Sequence, residues 1–138
     1  MNAPGLPPRF IEAEPHEEFF WRSGADGKLR FLGCGECGRL HHPPLPRCPY
    51  CQSAALEPRA VSGRATVATF TINHQEFIPG FEVPFVIAFA EIEEDPTIRL
   101  TTNIVGCPPE DVHIGQPVEV TFETNGEWFV PLFRPTQG

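Results

Sequence analysis

The sequence predicts a mainly β protein in which a short N-terminal helix leads into a cysteine-knuckle module and then a small barrel. Three observations carry that prediction. With 17 prolines and 12 glycines in 138 residues, long helices are interrupted and turns are well supplied. Four of the five cysteines fall into two Cys-x-x-Cys pairs, Cys34 with Cys37 and Cys48 with Cys51. In the second half apolar and polar residues alternate, most cleanly at Val118, Val120 and Phe122 against Glu119, Thr121 and Glu123. The length suits one compact domain, or a small metal-held module joined to one β domain. The divisions expected are an arm and helix over 1–27, the knuckle module over 28–58 and the barrel over 59–138.

Residues 1–13 carry Pro4, Pro7 and Pro8 without periodicity and read as an extended arm. From Glu14 to Ser23 a helix is expected. Pro15 suits its first position, Glu17 and Glu18 suit the positive end of its dipole, Arg22 suits the other end, and Gly24 can stop it. Because Phe19, Phe20 and Trp21 are consecutive, they spread around more than half the helix, so one buried face cannot hide all three. They are expected to dock on a partner.

Asp26-Gly27 signals a turn, Lys28 to Leu32 a strand into the first cysteine pair, and Arg39 to His42 the returning strand. Gln52 to Pro58 reads as a connector. Five strand-like segments follow. Ala65 to Asn73 alternates from Ala68 onward, with Val67 breaking the pattern as a bulge would. Phe85 to Ala90 is apolar on both faces, as expected of a strand covered on both sides. Thr97 to Val105 is the third segment, and the strand ending at Glu123 passes through the Asn125-Gly126 turn to Trp128–Phe133. Five strands with short turns suit a closed barrel such as the OB-fold, trimmed here because Pro108 to Gly115 is too short for a helix.

The formal net charge of −8, from 10 Lys and Arg against 18 Asp and Glu, repels phosphate backbones. A barrel that binds single-stranded nucleic acid interleaves its aromatics with Lys and Arg, whereas these strands carry Glu91, Glu93, Glu94, Glu119 and Glu123. Nucleic acid is therefore the weaker alternative, and not an expected partner. The first nine residues lack the apolar core of a signal peptide, and no apolar run is long enough to cross a bilayer. A cytoplasmic protein is expected, in whose reducing surroundings paired cysteines point to metal, not disulfides.

Ten residues separate Cys37 from Cys48, so two knuckles can close four thiolates around one Zn²⁺. Such a site is structural, since no coordination position is left for water. Iron would fit the same sulfurs and make an electron carrier, but a barrel serves no evident purpose there. His41 and His42 lie between the knuckles and are expected in a hairpin strand with one ring facing solvent, not as ligands. Cys107, unpaired and followed by Pro108 and Pro109, reads as a buried structural cysteine. The connection after Asn73 places Phe77, Ile78 and Phe81 around Pro79-Gly80, where loops are normally polar, and so is a candidate acyl-CoA or partner contact, with His74 beside it. No catalytic residue is assigned.

These features together resemble the DUF35 family, in which a rubredoxin-like zinc ribbon is fused to an OB-fold. The residues that carry the resemblance are Phe20-Trp21, Cys34-x-x-Cys37-Gly38, Pro43-Pro44, Cys48-Pro49-x-Cys51, Pro79-Gly80 followed by Pro84, Asn103-Ile104-Val105-Gly106, Gly115-x-Pro117-Val118 and Pro131-Leu132-Phe133-Arg134-Pro135. The resemblance implies an accessory subunit of a thiolase-superfamily enzyme, in a hetero-oligomer whose partner holds most of the acyl-CoA. Within the family, the stretch from Asn103 to Gly115 is similar to partners of aldolases that cleave a β-hydroxyacyl-CoA from a steroid side chain, with a MaoC-like enoyl-CoA hydratase as the alternative partner. Two departures stand out. Gln52 replaces the usual glycine after the second knuckle, and no hot-dog hydratase domain is expected within these 138 residues.

Overall fold

The computed structural model describes residues 15–75 and 83–136. Helix α1 (Glu18–Arg22) continues as a 3₁₀ turn (Ser23–Asp26) that ends at Gly27, with φ of 80°. The helix is shorter than expected and Gly24 does not stop it. Gly24 is there for close approach instead, because a Cβ at that position would lie 2.5 Å from the Phe122 ring and 2.7 Å from Phe129.

Three strands form the ribbon sheet: β1 (Leu29–Cys34), β2 (Leu40–His41) and β3 (Leu56–Val61), in the order β2-β1-β3. Strand β3 begins within the last three residues of the expected connector. It pairs with β1 from Cys34↔Leu56 to Leu29↔Val61, so the expected boundary at 58 falls inside it. Its half-exposed edge position explains the missing signal, since an edge strand tolerates Pro58 and needs no strict alternation.

The remaining strands are β4 (Arg64–Asn73), β5 (Phe85–Ile92), β6 (Arg99–Ile104), β7 (Pro117–Asn125) and β8 (Trp128–Pro135), which close a barrel in the order β4-β5-β6-β8-β7. All pairings are antiparallel except β6 with β8, joined at Ile104↔Phe133. This is the five-stranded OB-fold. The bulge foreseen at Val67 is present: register shifts between Val67 and Thr69, switching the inward face from Ala65 and Val67 to Phe70 and Ile72. Where a longer OB-fold inserts a helix, only a 3₁₀ turn (Pro109–Asp111) stands.

One apolar cluster runs through both halves. Phe20, Leu29 and Phe31 belong to it together with Val67, Val86, Ile104, Val118 and Phe133 of the barrel. Phe20 is only 3% exposed and meets Phe31 at 6.0 Å and Trp21 edge-on at 5.0 Å. Phe19 and Trp21 are half-buried against the same cluster. The three consecutive aromatics are thus a wedge between ribbon and barrel, and the docking expected of Phe20 gives way to burial. The helix end is fixed to the β7–β8 turn, where the Arg22 guanidinium stacks over Trp128 at 4.6 Å.

On the outer face of β5, Ile87 and Phe89 are 38% and 41% exposed. No element among the described residues covers them, contrary to the reading of a strand hidden on both sides. With Thr69 and Thr71 they line a shallow apolar groove on the barrel wall. Among the described residues, no helix is long and apolar enough to cross a membrane.

Candidate metal centre

The sequence places one cysteine pair at the end of β1 and the other just before β3, so the ribbon sheet brings the knuckles face to face. The four Sγ atoms lie within 4.8 Å of one another, with Cys34 3.5 Å from Cys51 and Cys37 3.6 Å from Cys48. Sulfurs at about 2.3 Å from a tetrahedral Zn²⁺ stand roughly 3.8 Å apart, so the cluster fits the ion.

Each knuckle is a tight turn whose amides point at sulfur. Glu36 and Cys37 donate to the Cys34 Sγ, and Tyr50 donates to the Cys48 Sγ, all at 3.4 Å. Gly38 N–H closes the first turn on the Cys34 carbonyl at 2.9 Å, and Gln52 N–H closes the second on the Cys48 carbonyl, also at 2.9 Å. Both closing residues are left-handed, Gly38 with φ of 77° and Gln52 with φ of 67°. The departure at Gln52 is therefore a local strain that glycine would relieve.

These amides already favour thiolate. The Cys37 and Glu36 amides hold the Cys34 thiol down to about 6. At Cys48 burial opposes ionisation, yet the Tyr50 and Cys51 amides bring the thiol below its ordinary range. The Ser53 amide alone would lower Cys51, but hydrogen bonding to Cys34, burial and the other thiols push it up to about 12. Metal binding must expel the remaining protons, which makes occupancy fall with pH.

His41 is buried at 4% exposure and His42 is half-buried, so neither ring projects freely into solvent as expected. His41 ends β2 and His42 follows it in the bend that leads to Pro43. His42 packs 4.9 Å from Phe20 and 5.2 Å from Phe31, and burial, with His41 adding repulsion, lowers its pKa to about 4. Neither joins the metal cluster.

Cys107 packs against the core, and burial raises its pKa, with Asp111 and Glu110 adding to the effect. This suits a structural cysteine. His74 is exposed just beyond β4, while Phe77, Ile78 and Phe81 lie outside the described residues. Sequence reasoning missed three arginines around the knuckles, Arg39, Arg47 and Arg59. The one signal available was Gly33, a glycine inside a strand, which marks close approach by another group.

Comparison with known families and structures adds three findings. Residues 21–57 match the family model described as the ChsH2 rubredoxin-like zinc ribbon domain, and residues 58–123 match the ChsH2 C-terminal OB-fold domain. The chain is 35% identical over 118 residues to a probable enoyl-CoA hydratase alpha subunit of Thermomonospora curvata, covering 85% of this chain and 36% of that protein. It is 34% identical over 119 residues to the 3-oxo-4,17-pregnadiene-20-carboxyl-CoA hydratase alpha subunit of Mycobacterium tuberculosis, covering 86% of this chain and 37% of that protein. It therefore spans a little over a third of either relative. A solved chain of the Ltp2-ChsH2(DUF35) aldolase superposes with a TM-score of 0.83 at 31% identity, over 91% of this chain and 98% of that one.

Proposed function

The chain belongs to the DUF35 family, as a ChsH2-type zinc ribbon joined to an OB-fold, and from that premise we propose that it is the accessory subunit of a thiolase-superfamily retro-aldolase. The substrate of that enzyme is a steroid side-chain β-hydroxyacyl-CoA, cleaved at its carbon–carbon bond. The partner holds the acyl-CoA, and this chain completes and stabilises it. The observation that carries the reading is the likeness to the aldolase chain, which is matched over 98% of its length. The uncovered apolar wall at Ile87 and Phe89 supports it, being a surface whose burial against another protein is favourable.

The names of the two hydratase relatives favour a second reading, in which the partner is a MaoC-like enoyl-CoA hydratase. One experiment separates the two. The chain is co-expressed with a thiolase-superfamily protein and a MaoC-like protein together, the complex that forms is isolated, and it is given a steroid β-hydroxyacyl-CoA and the matching enoyl-CoA. Release of the carbonyl fragment together with a shortened acyl-CoA supports the aldolase. Hydration of the enoyl-CoA without cleavage overturns it in favour of the second reading.

A further inference from the structure

Gly33 sits in the central strand of the ribbon, paired with Leu40 on one side and Glu57 on the other. A glycine there weakens the strand unless something needs the space. The space is taken by Arg59. A Cβ on Gly33 would lie 2.5 Å from the Arg59 Cδ and Nε and 2.8 Å from its Cζ, so the side chain lies across β1 directly over the missing group.

From that position the guanidinium reaches the first knuckle. Arg59 Nη2 donates to the Cys34 carbonyl at 3.0 Å and Nη1 donates to the Gly38 carbonyl at 3.2 Å. Those are the residues at the two ends of the turn, already joined by the Gly38 N–H bond to the Cys34 carbonyl. The second knuckle has a weaker counterpart, in which Arg47 Nη1 donates at 3.1 Å to the carbonyl of Gln52, the residue equivalent to Gly38. Arg39 joins the two turns by stacking over Tyr50 at 3.7 Å. A zinc tetrathiolate carries a net charge of about −2. The chain, acidic overall, thus sets guanidinium groups against both turns that carry the thiolates.

We propose that Arg59 is a positioning residue for the metal, a two-pronged clamp that holds the first knuckle in ligand geometry, and that Gly33 exists to let it lie there. A rigid fork can bridge both carbonyls, whereas a lysine ammonium supplies charge at a single point. Zinc retention is then set in part by a residue that is not a ligand. This holds whichever enzyme the chain serves.

The test is the rate at which zinc passes from the purified full chain to an excess of a chromogenic chelator. Arg59→Gln is expected to release zinc about tenfold faster or more, as loss of charge-assisted hydrogen bonds predicts. Arg59→Lys falls between it and the parent, and Gly33→Ala, which displaces the clamp, matches Arg59→Gln. The double variant releases zinc no faster than either single one, because both remove the same contact. Circular dichroism of the barrel accompanies each variant. If Arg59→Gln does not fold, Arg59→Lys and Gly33→Ala decide the matter. Release rates within twofold of the parent, or effects of Gly33→Ala and Arg59→Gln that multiply, overturn the clamp.

Discussion

The barrel hides Val67, Val86, Ala90, Val118 and Phe133 by closing its strands on themselves, so its core needs nothing beyond the chain. The ribbon has three short strands, one with an exposed edge, and buries little more than Leu29, Phe31, Leu32 and the sulfurs of Cys34 and Cys48. Too small to fold on apolar burial alone, it relies on the metal and on the Phe20 wedge that ties it to the barrel. The difference teaches that the molecule has a strong end and a conditional one. Order at the conditional end requires zinc.

The largest expected effect breaks that dependence outright. Cys48→Ser removes a buried ligand, and structural zinc in small cysteine modules contributes on the order of 10 kcal/mol to folding. The variant should lose zinc and ribbon amide protection while the barrel retains its β signal, as hydrogen exchange with zinc analysis would read. A full equivalent of retained zinc would refute the assignment.

Phe20→Ala attacks the joint. Deleting a buried phenylalanine costs about 3–5 kcal/mol, and here the loss is shared, because Phe20 touches both halves. Urea melts followed separately by the far-ultraviolet β signal of the barrel and by zinc release should both shift. A shift in zinc release alone would mean that the wedge belongs to the ribbon only.

Acid sharpens the contrast further. His42 is held neutral in the fold, with a pKa lowered from 6.5 to about 4, so the unfolded chain binds its proton first. Its contribution is intact above 6.5, shrinks as pH falls, and is fully lost below about 4. The loss is on the order of 3 kcal/mol. His42→Phe should flatten the stability profile across that window, measured against the parent so that zinc loss common to both cancels. The smallest effect expected is a gain: Gln52→Gly relieves a left-handed side chain and should stabilise the second knuckle by about 1 kcal/mol, seen as a higher ribbon melting temperature.

Where short-range physics decides, the sequence could be read. The ligands followed from cysteine spacing, the β7–β8 hairpin from alternation around Asn125-Gly126, and the Val67 bulge from one broken period. What long-range contacts decide was hidden. Strand β3 looked like a connector because its partner β1 lies more than twenty residues earlier. Helical spacing put three aromatics on too wide an arc but could not say that Phe20 would turn inward between two layers. Nor could it show His42 buried against Phe20 and Phe31, or Arg59 reaching back to the Cys34 carbonyl.

Titration of the proposed thiolase-superfamily partner with this chain, following cleavage of a steroid β-hydroxyacyl-CoA, bears most directly on the account. Cleavage should rise with added zinc-loaded chain and saturate at a fixed ratio of subunits, and Cys48→Ser chain should fail to support it. A partner that cleaves equally well alone would contradict the account.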